Sequence, residues 1–271
     1  LKTSFMPRWA LGAVLAVAPW AIFPLGAVAA EGAIATDRPD FVESSDVVGK
    51  GRFQLETSVA QERSTRDGVR MRLVSTPTLL RIGVSETVEL RLETDGIQRR
   101  STEGSGLKTS ERGWADVALG AKWHVQDGDE ASGRPGLAWL LHVEADTGTP
   151  PFRGDGLRPS LRAVAEWELA GDYSLGVMPG VLIDRNDQGQ RYVGAIFAVV
   201  VGKSFSDTTR GFVELSGRQL ASKQNGGNVV SFDTGLAYLV TNDVQIDAAV
   251  SWGLNKNTPD VSWTVGVSVR F

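Results

Sequence analysis

The sequence predicts an all-β fold, a transmembrane antiparallel up-and-down β-barrel of about 12 strands. Three observations predict it. The final stretch alternates strictly: Val261, Trp263, Val265, Val267, Val269 and Phe271 are apolar, while Ser262, Thr264, Gly266, Ser268 and Arg270 are small or polar. That is the period-two pattern of a strand with one apolar face. Similar alternation recurs in stretches of about ten residues, the length a tilted strand needs to cross a bilayer. The composition, 42% hydrophobic and 22% charged with 31 glycines, is too polar for a helical membrane protein but ordinary for a barrel whose residues alternate between lipid and water.

Taken in order, the chain opens with Lys2 and Arg8, an apolar run from Trp9 to Leu25, and the small residues Ala27, Val28 and Ala29. This is the pattern of a cleaved secretory signal peptide over residues 1–30. Residues 31–50 show no sustained periodicity and form a periplasmic N-terminal segment, and residues 51–271 form the barrel. The first strand candidate, 52–60, sets Phe53, Leu55, Thr57 and Val59 against Gln54, Glu56 and Ser58. The next, 70–83, is interrupted by Pro77, which lacks an N–H and fits a strand only at an edge or bulge. Further candidates are 88–93, 115–124, 137–146, 161–169, 173–183, 191–203, 211–220, 230–240, 244–255 and the closing stretch.

An even strand number puts both ends of the mature chain on the periplasmic side. The external links are then 63–68, 96–113, 147–156, 184–190, 221–228 and 255–260. The periplasmic links 85–87, 171–172, 206–208 and 241–243 are short, with 126–135 a long exception. In this frame Trp123, Trp139, Trp167, Tyr173, Tyr238 and Phe271 gather at the periplasmic rim, and Trp252 and Trp263 at the external rim. Amphipathic rings sit at headgroup depth in this way. A soluble β-sandwich also alternates but would not sort aromatics by strand end.

A closing strand that ends on an aromatic, Phe271, has the form that the barrel-assembly machinery reads. The expected partners are that machinery, outer-membrane lipid and a small-molecule substrate, and the expected location is the outer membrane of a Gram-negative bacterium. The absence of cysteine excludes disulfides, thiolate metal sites and cysteine nucleophiles. A net charge of -4 offers no basic excess for nucleic acid.

The polar faces supply the candidate lumen and transport residues: Glu56, Glu89, Arg91, Glu93, Asp116, Lys122, His142, Glu144, Arg162, Glu166, Glu214, Arg218, Asp233, Asp247 and Arg270. Charges of both signs in a partly dehydrated interior must pair or stay wet. They describe either a polar conduit or a self-neutralising network that fills a narrow barrel. His142 beside Glu144, with His124 on the neighbouring strand, reads as part of that network. Outer-membrane hydrolases place Ser and His on the lipid side, whereas His142 falls on the polar face, so no catalytic residue, metal or cofactor is expected and an enzyme is disfavoured.

Several stretches carry a family resemblance: Thr36-Asp-Arg-Pro-Asp-Phe-Val-Glu-Ser44, Gly51-Arg-Phe-Gln-Leu-Glu56, Val88-Glu-Leu-Arg-Leu92, Asp116-Val-Ala-Leu-Gly-Ala-Lys122, Asp233-Thr-Gly-Leu-Ala-Tyr-Leu239 and Gln245-Ile-Asp-Ala-Ala249. They resemble the outer-membrane family named for a role in the meta-cleavage pathway of phenol degradation, whose members are commonly labelled transporters. The resemblance spans nearly all of the mature chain and implies a barrel that transports small hydrophobic or aromatic compounds. It supplies no catalytic residue. In its light Asp37, Arg38, Asp40 and Phe41 become plug candidates. The segment is expected to fold into the periplasmic mouth or lumen, pair its charges with wall residues such as Arg270, Arg162 or Glu56, and pack Phe41 on the wall. The competing expectations are a loose periplasmic leader and a structural or surface-interaction barrel with a filled lumen.

Overall fold

The structure, a computed structural model, describes residues 32–104 and 106–271; the expected signal peptide lies outside the described residues. The strands are β1 (Phe53–Arg66), β2 (Val69–Ser75), β3 (Thr78–Gly83), β4 (Val88–Thr94), β5 (Ile97–Gly104), β6 (Leu107–Trp114), β7 (Val117–Gln126) and β8 (Gly136–Ala145). They continue with β9 (Arg158–Leu169), β10 (Tyr173–Arg185), β11 (Arg191–Ser206), β12 (Thr209–Leu220), β13 (Val229–Thr241), β14 (Val244–Gly253) and β15 (Val261–Arg270). All pairings are antiparallel, and β15 returns to β1 in a register running from Gln54↔Arg270 to Arg63↔Val261. The closed ring consists of twelve strands, β1, β3, β4 and β7 to β15. Closure leaves no edge whose backbone groups would face lipid unpaired.

The remaining strands are continuations of ring strands. Short breaks at Thr76–Pro77, Asp95–Gly96 and Ala115–Asp116 separate β2 from β3, β4 from β5 and β6 from β7. Backbone hydrogen bonds bridge the breaks, from Ser58 N to Pro77 O (3.0 Å), Thr76 N to Asp95 O (3.0 Å) and Ala115 N to Gly96 O (2.8 Å). Beyond them, the distal half of β1 pairs with β2, β2 with β5 and β5 with β6 as a sheet extending past the barrel. This corrects the expected links 63–68 and 96–113. The first reduces to a tight turn at Asp67 and Gly68, both with positive φ (49° and 78°), and most of the second is the β5–β6 hairpin. The long link 126–135, expected on the periplasmic side, is a loop closed by the bridge Asp129↔Arg134.

Exposure follows the predicted period. Phe53, Leu55, Val59, Leu90, Leu92, Leu119, Val193, Phe197, Leu215, Leu236 and Val265 are exposed and form the lipid-facing wall. Their neighbours Gln54, Glu56, Glu89, Arg91, Ser216 and Ser268 are buried. Trp123 lies opposite Val88 and Trp139 at the short-turn end, with Tyr173, Tyr238 and Phe271 also at strand ends there. Trp252 pairs with Val261 at the other end and stacks on Phe232 at 6.2 Å.

The inner wall has two characters, which the strand pattern alone did not reveal. On one side it is charged, through Glu56, Arg81, Glu89, Arg91 and Lys122. On the other, from β8 to β12, Leu140, Val164, Met178, Ala198, Val200 and Phe212 form an apolar cluster. Strands β10 and β11 are therefore apolar on both faces, and what their inner face meets is the segment that precedes β1.

Candidate functional site: a segment held inside the lumen

The described residues before β1 form no helix or strand, apart from turns and bends. Such a segment can be buried only if its backbone polar groups find partners elsewhere. Here the barrel wall provides them with side chains. Carboxylates accept from its N–H groups: Glu56 from Asp37 N (3.1 Å), Glu214 from Phe41 N (2.9 Å) and Val42 N (2.7 Å), Glu89 from Val48 N (3.0 Å), and Glu166 from Ser45 N. Cations donate to its carbonyls: Arg81 to Ala35 O (2.9 Å) and Asp46 O (2.8 Å), Lys122 to Ser44 O (2.7 Å), and Arg210 to Arg38 O (2.9 Å). Gln54 also donates to Ala35 O (2.8 Å), and His124 Nδ1 lies 2.9 Å from Ser45 O. The wall charges thus do for this segment what a ladder of backbone bonds does for a strand.

The segment's own charges are paired as closely. Asp37 accepts from Lys122 Nζ (2.8 Å) and Arg91 Nη1 (2.6 Å), with Arg81 Nη1 at 3.6 Å. Glu43 bridges Arg91 (2.7 Å) and Arg162 (2.6 Å). Arg38 donates to Asp247 (2.9 Å) and to Thr264 Oγ1 (3.0 Å). Burial pushes the Asp37 carboxyl up, but Arg81, Lys122 and Arg91 together hold it well below the usual carboxylate range. For Glu43 burial is likewise outweighed, by Arg91 and Arg162, and its carboxyl is lowered. Asp40 goes the other way: burial, with the neighbouring carboxylates Asp37 and Asp247, raises it against the pull of Arg210 at 3.5 Å and a backbone hydrogen bond.

Apolar packing fixes the opposite side. Val42, 3% exposed, enters the cluster of Leu140, Val164, Met178, Ala198, Val200 and Phe212, with Phe41 packed against it. Small wall residues make this approach possible. A Cβ on Gly176 would stand 3.0 Å from Val42 Cγ1, and one on Gly266, in the closing strand, 2.5 Å from Arg38 Nη2. Phe41 itself lies between two guanidiniums, with Arg218 5.0 Å and Arg162 5.6 Å from its ring centre. Beside it is a cavity of about 330 Å³, lined also by Glu62, Glu93, Asp95, Asp233 and Trp263.

The sequence-predicted residues therefore fall into groups. Glu56, Glu89, Arg91, Lys122, Arg162, Glu166, Glu214 and Asp247 contact the segment directly, as described above. Glu93, Arg218 and Asp233 line the cavity, where Asp233 accepts from Ser216 Oγ (2.7 Å) and buried His142 lies 3.6 Å from Glu93. Asp116 and Glu144 meet at Arg158, and Asp116 also accepts from Gly148 N and Gly154 N (both 2.7 Å), so this group anchors the loop between β8 and β9. Arg270 sits at the rim, where it pairs with Asp243 (2.7 Å) and donates to Gly32 O (2.9 Å). The expected pairing of the plug acids with Arg270 is thus replaced by Arg81, Arg91 and Lys122. Arg162 pairs with Glu43 rather than with Asp37 or Asp40, and Glu56 meets the Asp37 N–H rather than a cation of the segment. Arg81 was missed by sequence reasoning, although its position between outward Leu80 and Ile82 marks it as inward. Glu43 and Arg210 were missed because nothing local distinguishes them from solvated side chains, whereas Gln245, which donates to Thr36 Oγ1 (2.9 Å), is marked as inward by its place between Val244 and Ile246.

The family model described as "Putative MetA-pathway of phenol degradation" matches residues 36–271. Among solved structures, an outer membrane channel from Pseudomonas putida F1 is similar at a TM-score of 0.59 with 13% identity, covering 84% of this chain and 98% of that one. The NanC porin gives a TM-score of 0.47 with 11% identity, covering 79% and 98%. A monoaromatic hydrocarbon channel, CymD, gives 0.40 with 9% identity, covering 82% and 88%. No curated protein matches the sequence.

Proposed function

The chain belongs to this phenol-degradation family, and from that premise we propose that it is a plugged outer-membrane channel for small molecules. One observation carries the reading: a segment without regular structure occupies the lumen and is held there through side-chain contacts to its backbone, not through a ladder of its own. Such a segment can leave without unfolding the barrel. The cavity beside it gives a passing molecule a place to bind, with Phe41, Arg162 and Arg218 positioned for aromatic and cation–π contacts. This supports small aromatic compounds as the substrate class. Export by a cleaved leader and insertion through the closing strand belong to the same proposal.

Deleting residues 33–48 and recording conductance in planar bilayers tests the channel, with uptake of an aromatic panel by cells with and without the protein testing the cargo. Conductance is expected to rise on deletion. The ion-pair density around Asp37 favours a second reading, a sealed barrel whose external sheet and loops do the work. A barrel that stays sealed after the deletion would select that second reading.

A further inference from the structure

The sheet extension carries a charge pattern that transport does not use. Residues directly opposite one another in β1, β2, β5 and β6 share a face. The face that continues the lipid-facing side of Phe53, Leu55 and Val59 presents Arg63 opposite Arg72 and Arg99 opposite Arg112. In the next row Arg70 and Lys108 flank Glu103. Like charges directly opposite in a sheet are destabilising. Among the described residues the ion pair on this face is Arg70–Glu103 at 3.4 Å. Arg63, Arg70, Arg72, Arg99 and Lys108, together with Glu103, line a groove of about 480 Å³, and Arg112 flanks it opposite Arg99. On the same face Gln61 lies opposite Trp263 of the external aromatic girdle, which sets the patch at headgroup depth on the side of the longer loops.

We propose that this face binds the phosphorylated headgroup of the outer-leaflet glycolipid. Guanidinium groups meet phosphate oxygens in a bidentate fork, and an anion lying between the paired arginines removes the repulsion that the sheet otherwise carries. The site rests on the orientation that places the chain ends in the periplasm and is independent of whether the lumen conducts.

The test is titration of the full-length protein in detergent with fluorescent lipopolysaccharide, intact or dephosphorylated, comparing wild type with Arg63→Gln/Arg72→Gln/Arg99→Gln/Arg112→Gln. Each cation near an anionic surface contributes about fivefold, so the variant is expected to bind at least about tenfold more weakly. Wild type is expected to show a similar loss toward the dephosphorylated lipid, and the corresponding Arg→Lys variant, which keeps the charge but loses the fork, to bind with an affinity between those of wild type and the Gln variant. Equal affinity of wild type and the Gln variant, with both barrels folded by heat-modifiable gel mobility, would overturn the proposal, as would equal affinity for the two lipids. Full competition by millimolar inorganic phosphate would overturn the lipid assignment in favour of a free-anion site. Should the fourfold variant fail to fold, Arg63→Gln/Arg99→Gln leaves one cation in each like-charged pair and is expected to shift affinity in the same direction. Unchanged conductance in these variants separates this site from the plug.

Discussion

Replacing Asp37 with Asn strikes the plug where its charge converges. The carboxylate receives Lys122 at 2.8 Å and Arg91 at 2.6 Å, with Arg81 at 3.6 Å, and the amide keeps the shape while removing the charge. Breaking a buried ion pair costs about 3–5 kcal/mol, because the partner is left buried and uncompensated. Glu43, Glu56 and Glu89 remain to share the three cations, so the lower end applies. A loss of about 3 kcal/mol, at 1.4 kcal/mol per decade, raises the undocked population roughly 100-fold. Because the chain has no cysteine, Val42→Cys introduces a sole thiol, at a position 3% exposed when docked. Its maleimide labelling then tracks the open population when closing outpaces reaction. Labelling is expected to accelerate between about tenfold and 100-fold in the Asp37→Asn background. An unchanged rate, with the barrel still folded by gel mobility, would refute the view that this cluster holds the segment in place.

Other perturbations separate the forces involved. Asp40→Asn is expected to have the opposite sign: burial raises the Asp40 carboxyl, so its charged form opposes docking, and labelling of Val42→Cys should slow or stay constant, while a marked acceleration would contradict this. For pH, the lowered carboxyls of Asp37 and Glu43 contribute docking stability that is complete above the ordinary carboxylate range of about 4 and is lost as pH falls through their depressed values. Bilayer conductance should accordingly stay flat from neutral pH to about 5 and rise only below about 4; a rise already complete by about 5 would count against the ion-pair account. Gly83→Ala would place a Cβ 1.6 Å from Gly49 O, a backbone atom that cannot rotate away, so a Val48→Cys thiol, buried in the native segment, should label faster. Leu236→Arg, on the lipid face between Phe232 and Tyr238, should cost about 2–4 kcal/mol in urea titrations of folding into vesicles.

The membrane-crossing architecture was legible in the sequence because each ring residue faces either lipid or lumen, and that choice is written locally in its chemistry. The closing stretch from Val261 shows this, as does Phe53 to Val59 with its alternating Gln54, Glu56 and Ser58. Where the local environment stops alternating, the signal stops too. Residues 63–68 and 96–113 resembled links because past the hydrocarbon both faces of a strand meet polar surroundings, so Arg99 to Thr102 and Lys108 to Arg112 show no apolar alternation, although their backbones pair in register. The plug candidates Asp37, Arg38, Asp40 and Phe41 were recognisable as a cluster, but their partners were not. Asp37 meets Lys122 across 85 positions and Phe41 meets Glu214 across 173, contacts that only closure of the barrel brings together. The sequence by itself determined the membrane-crossing strands and which of their faces meets lipid. The tertiary structure decided that β10 and β11 turn an apolar inner face toward Val42, and that the wall carboxylates serve a buried backbone, because a segment with no hydrogen-bonded ladder of its own must take its partners from whatever surrounds it.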